Sequence, residues 1–261
     1  MHVVDSVTKL GPEYRGTVLV AGSHGGVYAA YLAARAGVRG VILNDAGVGL
    51  DHAGTAGIAY LDSFSTAAAT VDYRTARIGD GRDMLARGRI SFVNAVAGTL
   101  GCAPGQTTRE CAELMMSQPA PQREPRPYEE ARFSIRDGPG TPKIVGVDSV
   151  SLVLPEDAHS VVITGSHGAL LGGNPESALR GDALAIVFND AGIGIDDAGF
   201  SRLAPLAARG IAAAVVAAES ARIGEARSTW ETGCISRINV VAQSRGARAG
   251  MGVPEFSALF A

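Results

Sequence analysis

A serine followed by a histidine occurs twice in this chain, each time between two glycines. Ser23 and His24 form the first pair, and Ser166 and His167 form the second. A serine hydroxyl can serve as a nucleophile or as a donor to an oxyanion, and an imidazole can serve as a general base near neutral pH. We therefore expect both pairs to be catalytic. The alternative for Ser23 is a helix cap, in which the hydroxyl bonds to the first turn of the following helix.

An asparagine followed by an aspartate and a glycine-containing loop also occurs twice. We expect Asp45 and Asp190 to be catalytic, as general bases or as acceptors for a substrate hydroxyl. Asn44 and Asn189 are expected to bind substrate by donating to a carbonyl or an oxyanion. An Asx turn, the structural alternative, would need only one residue of each pair. Asp51, a few residues further on, is expected to cap the next helix.

The third repeated motif is Ala-Arg-Ile-Gly followed by an acidic residue. Its arginines, Arg77 and Arg222, suit bidentate recognition of a substrate carboxylate or phosphate. The alternative is an intramolecular ion pair, for example with Asp80 or Glu225 of the same motif. Polar residues that end each copy are expected to be structural, mainly as caps: Ser91, Asn94, Ser236 and Asn239.

These motifs recur in the same order and at nearly constant spacing. The interval between equivalent residues is 143 for the serines and 145 for Asn44, Arg77 and their counterparts. A constant register over several motifs predicts a tandem duplication. We expect two α/β halves, residues 1–116 and 144–261, related by a pseudo-twofold axis. Residues 117–143 hold six of the 12 prolines and are expected to form an extended connector without helix or strand.

Short apolar, β-branched runs alternate with stretches of helical character in each half. This alternation predicts βαβ units and mostly parallel sheets, which is the α/β class. Strands are expected at residues 17–21, 40–43, 67–71 and 89–93, and again at 161–164, 183–188, 211–216 and 234–238. Ligands of open parallel sheets bind beyond the carboxyl ends of the strands. The repeated motifs follow these strands, so they are expected to converge at one edge of each half.

Composition limits the partners of the chain. It is 46% hydrophobic and 19% charged with a net charge of −3, so it lacks the basic surface that recruits nucleic acid. Its first ten residues do not have the pattern of a signal peptide, and no apolar stretch is long enough to span a bilayer. We expect a cytoplasmic protein without membrane contact, compatible with a homo-oligomer. No ligand spacing indicates a metal site or a cofactor, and we expect neither.

Together the motifs favour a hydrolase of a small polar carbonyl compound, such as a cyclic amide, a lactone or an ester. Two alternatives stay open: a lyase or isomerase that uses the same histidines and aspartates for proton transfer, and a non-catalytic protein that binds an anionic metabolite. Adjacent Ser and His side chains face apart on a regular backbone. We therefore expect one composite site between the halves, where His24 approaches Ser166 and His167 approaches Ser23.

Overall fold

The computed structural model describes residues 1–121 and 123–261 as a mixed α/β protein with two sheets. The first half contains strands β1 (His2–Val4), β2 (Val18–His24), β3 (Gly40–Asn44), β4 (Ala67–Val71) and β5 (Ile90–Val93), with helices α1 (Val27–Ala36), α2 (Ala56–Asp62), α3 (Gly81–Arg87), α4 (Ala95–Thr99) and α5 (Thr108–Met115). The second half contains strands β6 (Arg132–Arg136), β7 (Ile144–Val147), β8 (Val161–His167), β9 (Ala185–Asn189), β10 (Ala212–Val216) and β11 (Ile235–Ile238), with helices α6 (Leu203–Ala208), α7 (Ala226–Thr232), α8 (Val240–Ser244) and α9 (Val253–Ala258).

The two sheets have matching topologies. The first has the strand order β1-β2-β3-β4-β5, and the second has the order β11-β10-β9-β8-β7-β6. Pairing is parallel throughout except for β5, β6 and β11, which lie antiparallel at sheet edges. The central strands β3, β4, β9 and β10 are buried at every residue, as expected where helices cover both faces of a sheet. The predicted α/β duplication with mostly parallel sheets is confirmed.

The halves differ in the segment that follows the Ser-His motif. In the first half the chain enters the ten-residue helix α1. In the second half residues 168–180 form only two short 3-10 turns, Leu171–Gly173 and Pro175–Ser177. Two adjacent glycines with positive φ, Gly172 and Gly173, and then Pro175 explain the loss, because these residues disfavour a continuous helix.

The connector prediction is wrong for residues 132–136, which form the edge strand β6 beside β7. The prolines of the connector lie on both sides of this strand and none lies within it, so every N–H that the ladder needs is present. The expectation of one continuous connector missed this short strand, because it lies between two groups of prolines.

The halves meet through the loops that follow β3 and β9. A Cβ atom on Gly47 would lie 2.7 Å from Cα of Gly192, so the two backbones touch at the pseudo-twofold axis. Two ion pairs repeat the symmetry: Arg77 lies 3.8 Å from Asp196, and Arg222 lies 3.5 Å from Asp51. A small apolar cluster fills the same junction with residues from both halves: Ala46, Ala53, Ile78, Ala169, Ala191, Ala198 and Ile223.

The predicted capping role of Asp51 is wrong. Asp51 adopts φ +52°, its side chain caps no helix, and α2 begins after Thr55 instead. Its carboxylate faces the other half of the chain, toward Arg222. Among the described residues, no helix combines the length and the apolar character that crossing a bilayer requires.

Candidate active site

One cavity of about 500 Å³ brings both Ser-His motifs together between the halves. Strands β2 and β8 carry Ser23, His24, Ser166 and His167 as their last residues, so the pleat and the strand ends position all four side chains. The wall also includes residues from the connector and from the 168–180 loop. Its polar and charged lining consists of Ser6, Thr8, Lys9, Tyr28, Glu130, Asp148, Ser149, Ser151, Asn174, Glu176, Ser177, Arg180 and Arg202 in addition to the two motifs.

Each of the two serine hydroxyls accepts a hydrogen bond from a backbone N–H. The N–H of Val7 donates to Oγ of Ser23 at 3.0 Å, and the N–H of Val150 donates to Oγ of Ser166 at 2.9 Å. Each hydroxyl therefore has its own hydrogen left for a ligand in the cavity. The alternative role of Ser23 as a helix cap is wrong, since its partner lies in the loop before β2 and Gly26 occupies the N-cap of α1.

The two histidines are fixed in one tautomer. Nδ1 of His24 accepts the N–H of Gly26 at 3.1 Å, and Nδ1 of His167 accepts the N–H of Ala169 at 3.2 Å. A neutral ring that accepts at Nδ1 carries its proton on Nε2. The nitrogen left for a ligand is therefore an N–H donor in both cases.

Burial keeps both rings neutral. It lowers the pKa of His24 to about 4. The pKa of His167 lies well below its usual value, mainly because of burial and further because Arg202 and His24 are close. At neutral pH the cavity thus presents two uncharged imidazole N–H donors, an arrangement that can stabilise negative charge on a carbonyl oxygen.

Glu130 is one of three acidic residues that line the cavity, together with Asp148 and Glu176. Burial, together with the charge of Asp148, raises its pKa to about 7, while the hydroxyl groups of Ser149 and Tyr28 oppose this rise. A carboxyl with this pKa exchanges protons efficiently at neutral pH, as a general base or a general acid must. Glu130 lies in the connector, just before β6. Two residues earlier, the ring of Tyr128 packs 5.6 Å from that of Tyr28 and 5.9 Å from that of Tyr31 on α1.

Arg202 is the buried cation of the cavity. It is 3% exposed and lies immediately before α6. Burial lowers its pKa to about 10, so the guanidinium stays charged at neutral pH. Its Nε donates to the carbonyl of Ala169 at 2.8 Å, and its Nη1 donates to the carbonyls of Ser177 and Ala178.

Neither Glu130 nor Arg202 was found by the sequence reasoning, because that reasoning selected residues present in both copies. Glu130 lies outside the repeats. Arg202 occupies the position that Gly57 occupies in the first half, 145 residues earlier. The sequence does contain one signal for Arg202: it is an arginine at the start of an apolar helix, where the equivalent position in the first half is a glycine.

The Asn-Asp motifs share the sheet edge with the cavity but do not line it. Both residues of each pair form Asx turns: Oδ1 of Asn44 accepts the N–H of Ala46 at 2.9 Å, and Oδ1 of Asp45 accepts the N–H of Gly47 at 3.2 Å. The structural alternative therefore involves both residues of the pair, and the argument that an Asx turn needs only one of them is wrong. Asn189 and Asp190 repeat both bonds in the second half.

These turns stabilise an unusual backbone at the junction of the halves. Residues 46–49 all have positive φ, between +50° and +73°, and residues 191–194 repeat this. Oδ1 of Asp45 also accepts the N–H of Tyr73 at 3.0 Å. Burial raises the pKa of Asp45 to about 6 and raises that of Asp190 above its usual range. In this arrangement the four side chains shape the contact surface between the halves.

The arginines of the third motif form ion pairs on the surface. Arg77 contacts Asp80 at 3.3 Å and Asp83 at 3.1 Å, and Arg222 contacts Glu225 at 3.1 Å. Neither arginine lines the cavity. The intramolecular ion pair is therefore the arrangement that the structure shows, and the motifs do not all converge on one ligand site.

Of the four residues that end the repeats, Asn94 and Asn239 are helix caps, as expected, whereas the capping prediction is wrong for Ser91 and Ser236. Asn94 caps α4 by accepting the N–H of Ala97, and Asn239 caps α8 by accepting the N–H of Ala242. Ser91 bonds to Thr70 on the neighbouring strand. Ser236 donates to Oδ2 of Asp190 at 2.7 Å and so supports the loop at the junction.

Within the part of the chain that the structure describes, no group of three or more His, Cys, Asp or Glu side chains is arranged to hold a metal ion. No protein-family model, no curated protein and no solved structure matches this chain.

Proposed function

We propose that the cavity is the active site of an enzyme that moves a proton next to the carbonyl group of a small molecule, as an isomerase or a lyase does. The observation that carries this proposal is the presence of Glu130, with a pKa of about 7, in the same cavity as two neutral histidines that offer Nε2–H donors. A carboxylate base and a neutral N–H donor on the carbonyl oxygen are the two groups that enolisation requires.

The reaction begins when the ionised carboxylate of Glu130 removes a proton from the carbon next to the carbonyl. The electron pair of the broken C–H bond forms a C=C bond, and the pair of the C=O π bond moves to the carbonyl oxygen. Nε2–H groups of His24 and His167 hold the resulting oxyanion. The oxyanion pair then re-forms the C=O bond. In an isomerase the C=C pair takes the proton back from Glu130, at the same carbon or, through a conjugated double bond, two carbons further on. In a lyase that pair forms a C=C bond to the β-carbon, and the β-substituent leaves with its bonding pair and takes the proton of Glu130.

The alternative that relies on a Ser-His dyad is weaker because of the histidine tautomer. A general base for Ser23 or Ser166 would need a ring nitrogen with a free lone pair, and Nδ1 of each ring already accepts a backbone N–H. The same geometry makes each histidine a better donor than acceptor. This preference favours proton transfer by Glu130 over attack by a serine.

Hydrolysis of a cyclic amide, a lactone or an ester remains the second candidate. It is favoured by the two serine hydroxyls in the cavity, each of which receives a backbone N–H that would stabilise a developing alkoxide. A fluorophosphonate probe tests it. Covalent labelling of Ser23 or Ser166, located by peptide mass spectrometry, would favour the hydrolase, and an unlabelled cavity would favour proton transfer.

Hydrogen–deuterium exchange into substrate tests the primary proposal without knowledge of the product. Small aldehydes, ketones and oxo acids are incubated with the protein in D₂O, and loss of the C–H signal next to the carbonyl is followed by NMR. We expect catalysed exchange for at least one compound, reduced by a factor of about 100 or more in Glu130→Gln. The matched control is Glu129→Gln, because Glu129 is the exposed neighbour in the same connector. Equal exchange rates for Glu130→Gln and wild type would contradict the role of Glu130 as the base. Absence of exchange for every compound tested would contradict the proposed proton-transfer activity.

A further inference from the structure

Arg202 is a buried cation without a carboxylate partner among the described residues. Its Nε and Nη1 satisfy three backbone carbonyls, of Ala169, Ser177 and Ala178. Nη2 forms no hydrogen bond within the described part of the chain, although the residue is only 3% exposed. Arg202 lines the cavity, and Nη2 is the one guanidinium nitrogen that its described hydrogen bonds leave for a molecule bound there.

Another arginine of this chain, by contrast, does have a carboxylate partner. Arg132, which is less deeply buried, forms a bidentate ion pair with the buried Asp157, at 2.8 and 3.0 Å. Burying a guanidinium costs free energy unless an opposite charge compensates for it. Among the described residues, the compensation for Arg202 comes from backbone dipoles and from the ring of Phe188, 5.3 Å from its Cζ. An anion in the cavity would complete the site.

The charge of the cavity favours an anion with one negative charge. The other two cations of its wall, Lys9 and Arg180, are solvent-exposed, and Glu130, Asp148 and Glu176 oppose additional negative charge. A phosphate group, with nearly two charges and several oxygens, is usually met by more than one buried donor. A carboxylate matches the single charge of Arg202 and the planar geometry of its guanidinium.

The position of Arg202 also links this anion to the proposed chemistry. Arg202 and His167 line the same cavity of about 500 Å³, so both groups can contact one small ligand. Resting on the proposed proton-transfer function, we infer that Arg202 binds the carboxylate of a small oxo acid whose carbonyl oxygen faces His24 and His167. The substrate class is therefore an oxo carboxylic acid, held by Arg202 and deprotonated by Glu130.

Equilibrium binding tests this inference separately from turnover. Pyruvate and pyruvamide, which differ in the carboxylate, are titrated into the 261-residue protein by calorimetry at constant ionic strength, and inorganic phosphate is titrated as the competing anion. We expect pyruvate to bind at least about tenfold more tightly than pyruvamide, as loss of a charge-assisted hydrogen bond predicts. Phosphate binding more tightly than pyruvate, or equal affinities for pyruvate and pyruvamide, would overturn the assignment.

Variants locate the site. Arg202→Lys keeps the positive charge but removes the planar fork, and it should weaken pyruvate binding by about tenfold. The matched control is Arg209→Lys, because Arg209 also donates to carbonyls of the neighbouring loop, at Leu179 and Gly181, but pairs with Asp182 and does not line the cavity. Unchanged affinity in Arg202→Lys, or an equal loss in Arg209→Lys, would contradict the site.

A second readout on the wild-type protein keeps the test decisive if Arg202→Lys does not fold. Side-chain ¹⁵N NMR resolves buried guanidinium groups, and the Nε and Nη signals of Arg202 should shift with pyruvate and stay unchanged with pyruvamide. Binding with this pattern but without deuterium exchange would refute only the proposed enzyme. Exchange that is equally fast for oxo acids and for neutral ketones would refute only the carboxylate site.

Discussion

The backbones of Gly47 and Gly192 are in contact where the two halves meet. A Cβ atom added to either glycine would lie closest to Cα of the other. Both have positive φ, +73° and +76°. The two glycines lie in the loops that follow β3 and β9, which pair with β2 and β8, and the last residues of β2 and β8 are the Ser-His motifs that line the cavity. The halves are therefore in contact at two residues that have no functional groups.

We predict that Gly47→Ala is far more destabilising than an alanine at another left-handed glycine. Gly210 has φ +74° and no atom within 4 Å of its Cβ position, so Gly210→Ala measures the backbone strain alone, about 1 kcal/mol. In Gly47→Ala the new methyl group would collide with the backbone of Gly192, and we expect a total loss of about 3 kcal/mol or more. Urea denaturation of both variants measures the difference. Equal losses would show that the contact is not tight in solution.

We predict opposite effects from two replacements of the same histidine. His24→Asn keeps an acceptor near the position of Nδ1 for the N–H of Gly26 but removes the Nε2–H donor. It should fold normally and lose activity by about 10² to 10³, the effect of losing one oxyanion donor. His24→Gln keeps a donor near Nε2 and should retain more activity with lower stability. His159→Asn, at an exposed histidine, is the control. Full exchange activity in His24→Asn would exclude the proposed donor role.

We predict that the rate of exchange rises with pH through an apparent pKa of about 7. The base form of Glu130 is the active form, and its pKa is raised to that value by burial and by Asp148. His24, with a pKa of about 4, should add no inflection above pH 5. Tyr28→Phe removes a hydroxyl that stabilises the ionised carboxylate, so the midpoint should move to higher pH. Tyr60→Phe is the control, because Tyr60 lies on α2 and does not line the cavity. A midpoint that is unchanged in Tyr28→Phe, or that moves equally in Tyr60→Phe, would contradict this assignment.

We predict that Asp45 serves the junction of the halves and is dispensable for chemistry. Asp45→Ala leaves the N–H groups of Gly47 and Tyr73 without their acceptor and should cost about 2–4 kcal/mol. Asp45→Asn keeps that acceptor and should preserve the exchange rate within a few-fold. A hundredfold loss in a folded Asp45→Asn protein would restore Asp45 as a catalytic residue.

The pH dependence of stability provides a second check on Asp45. Its pKa is raised from 3.8 to about 6 in the folded protein, so the native state binds more protons than the unfolded state between these values. This group therefore lowers stability as pH rises from about 4 to 6. Asp45→Asn removes that contribution, and the difference in unfolding free energy between variant and wild type should grow over this range and be constant above it. Denaturation of both proteins from pH 4 to 8 measures the difference.

The sequence by itself determined the duplication, the α/β class and the residues that recur. Periodicity of apolar residues is a local property, and a constant register between Asn44 and Asn189 needs no tertiary information. It also located the Ser-His motifs at strand ends, where parallel sheets expose their ligand sites. Of the repeated motifs, the Ser-His pairs line the cavity, whereas the Asn-Asp pairs and the arginines do not.

Only the tertiary structure decided which of the repeated side chains face the cavity. Asn44 and Asp45 lie at the same sheet edge as His24, yet consecutive Asx turns and a run of left-handed residues direct them to the junction instead. The Nε2–H tautomer of His24 depends on the N–H of Gly26, which donates to Nδ1. The raised pKa of Glu130 depends on its burial and on the nearby charge of Asp148. The repeats do not identify Arg202, because the equivalent position in the first half is not an arginine. Whether a buried charge has a partner is a property of non-local contacts, which the order of residues along the chain does not specify.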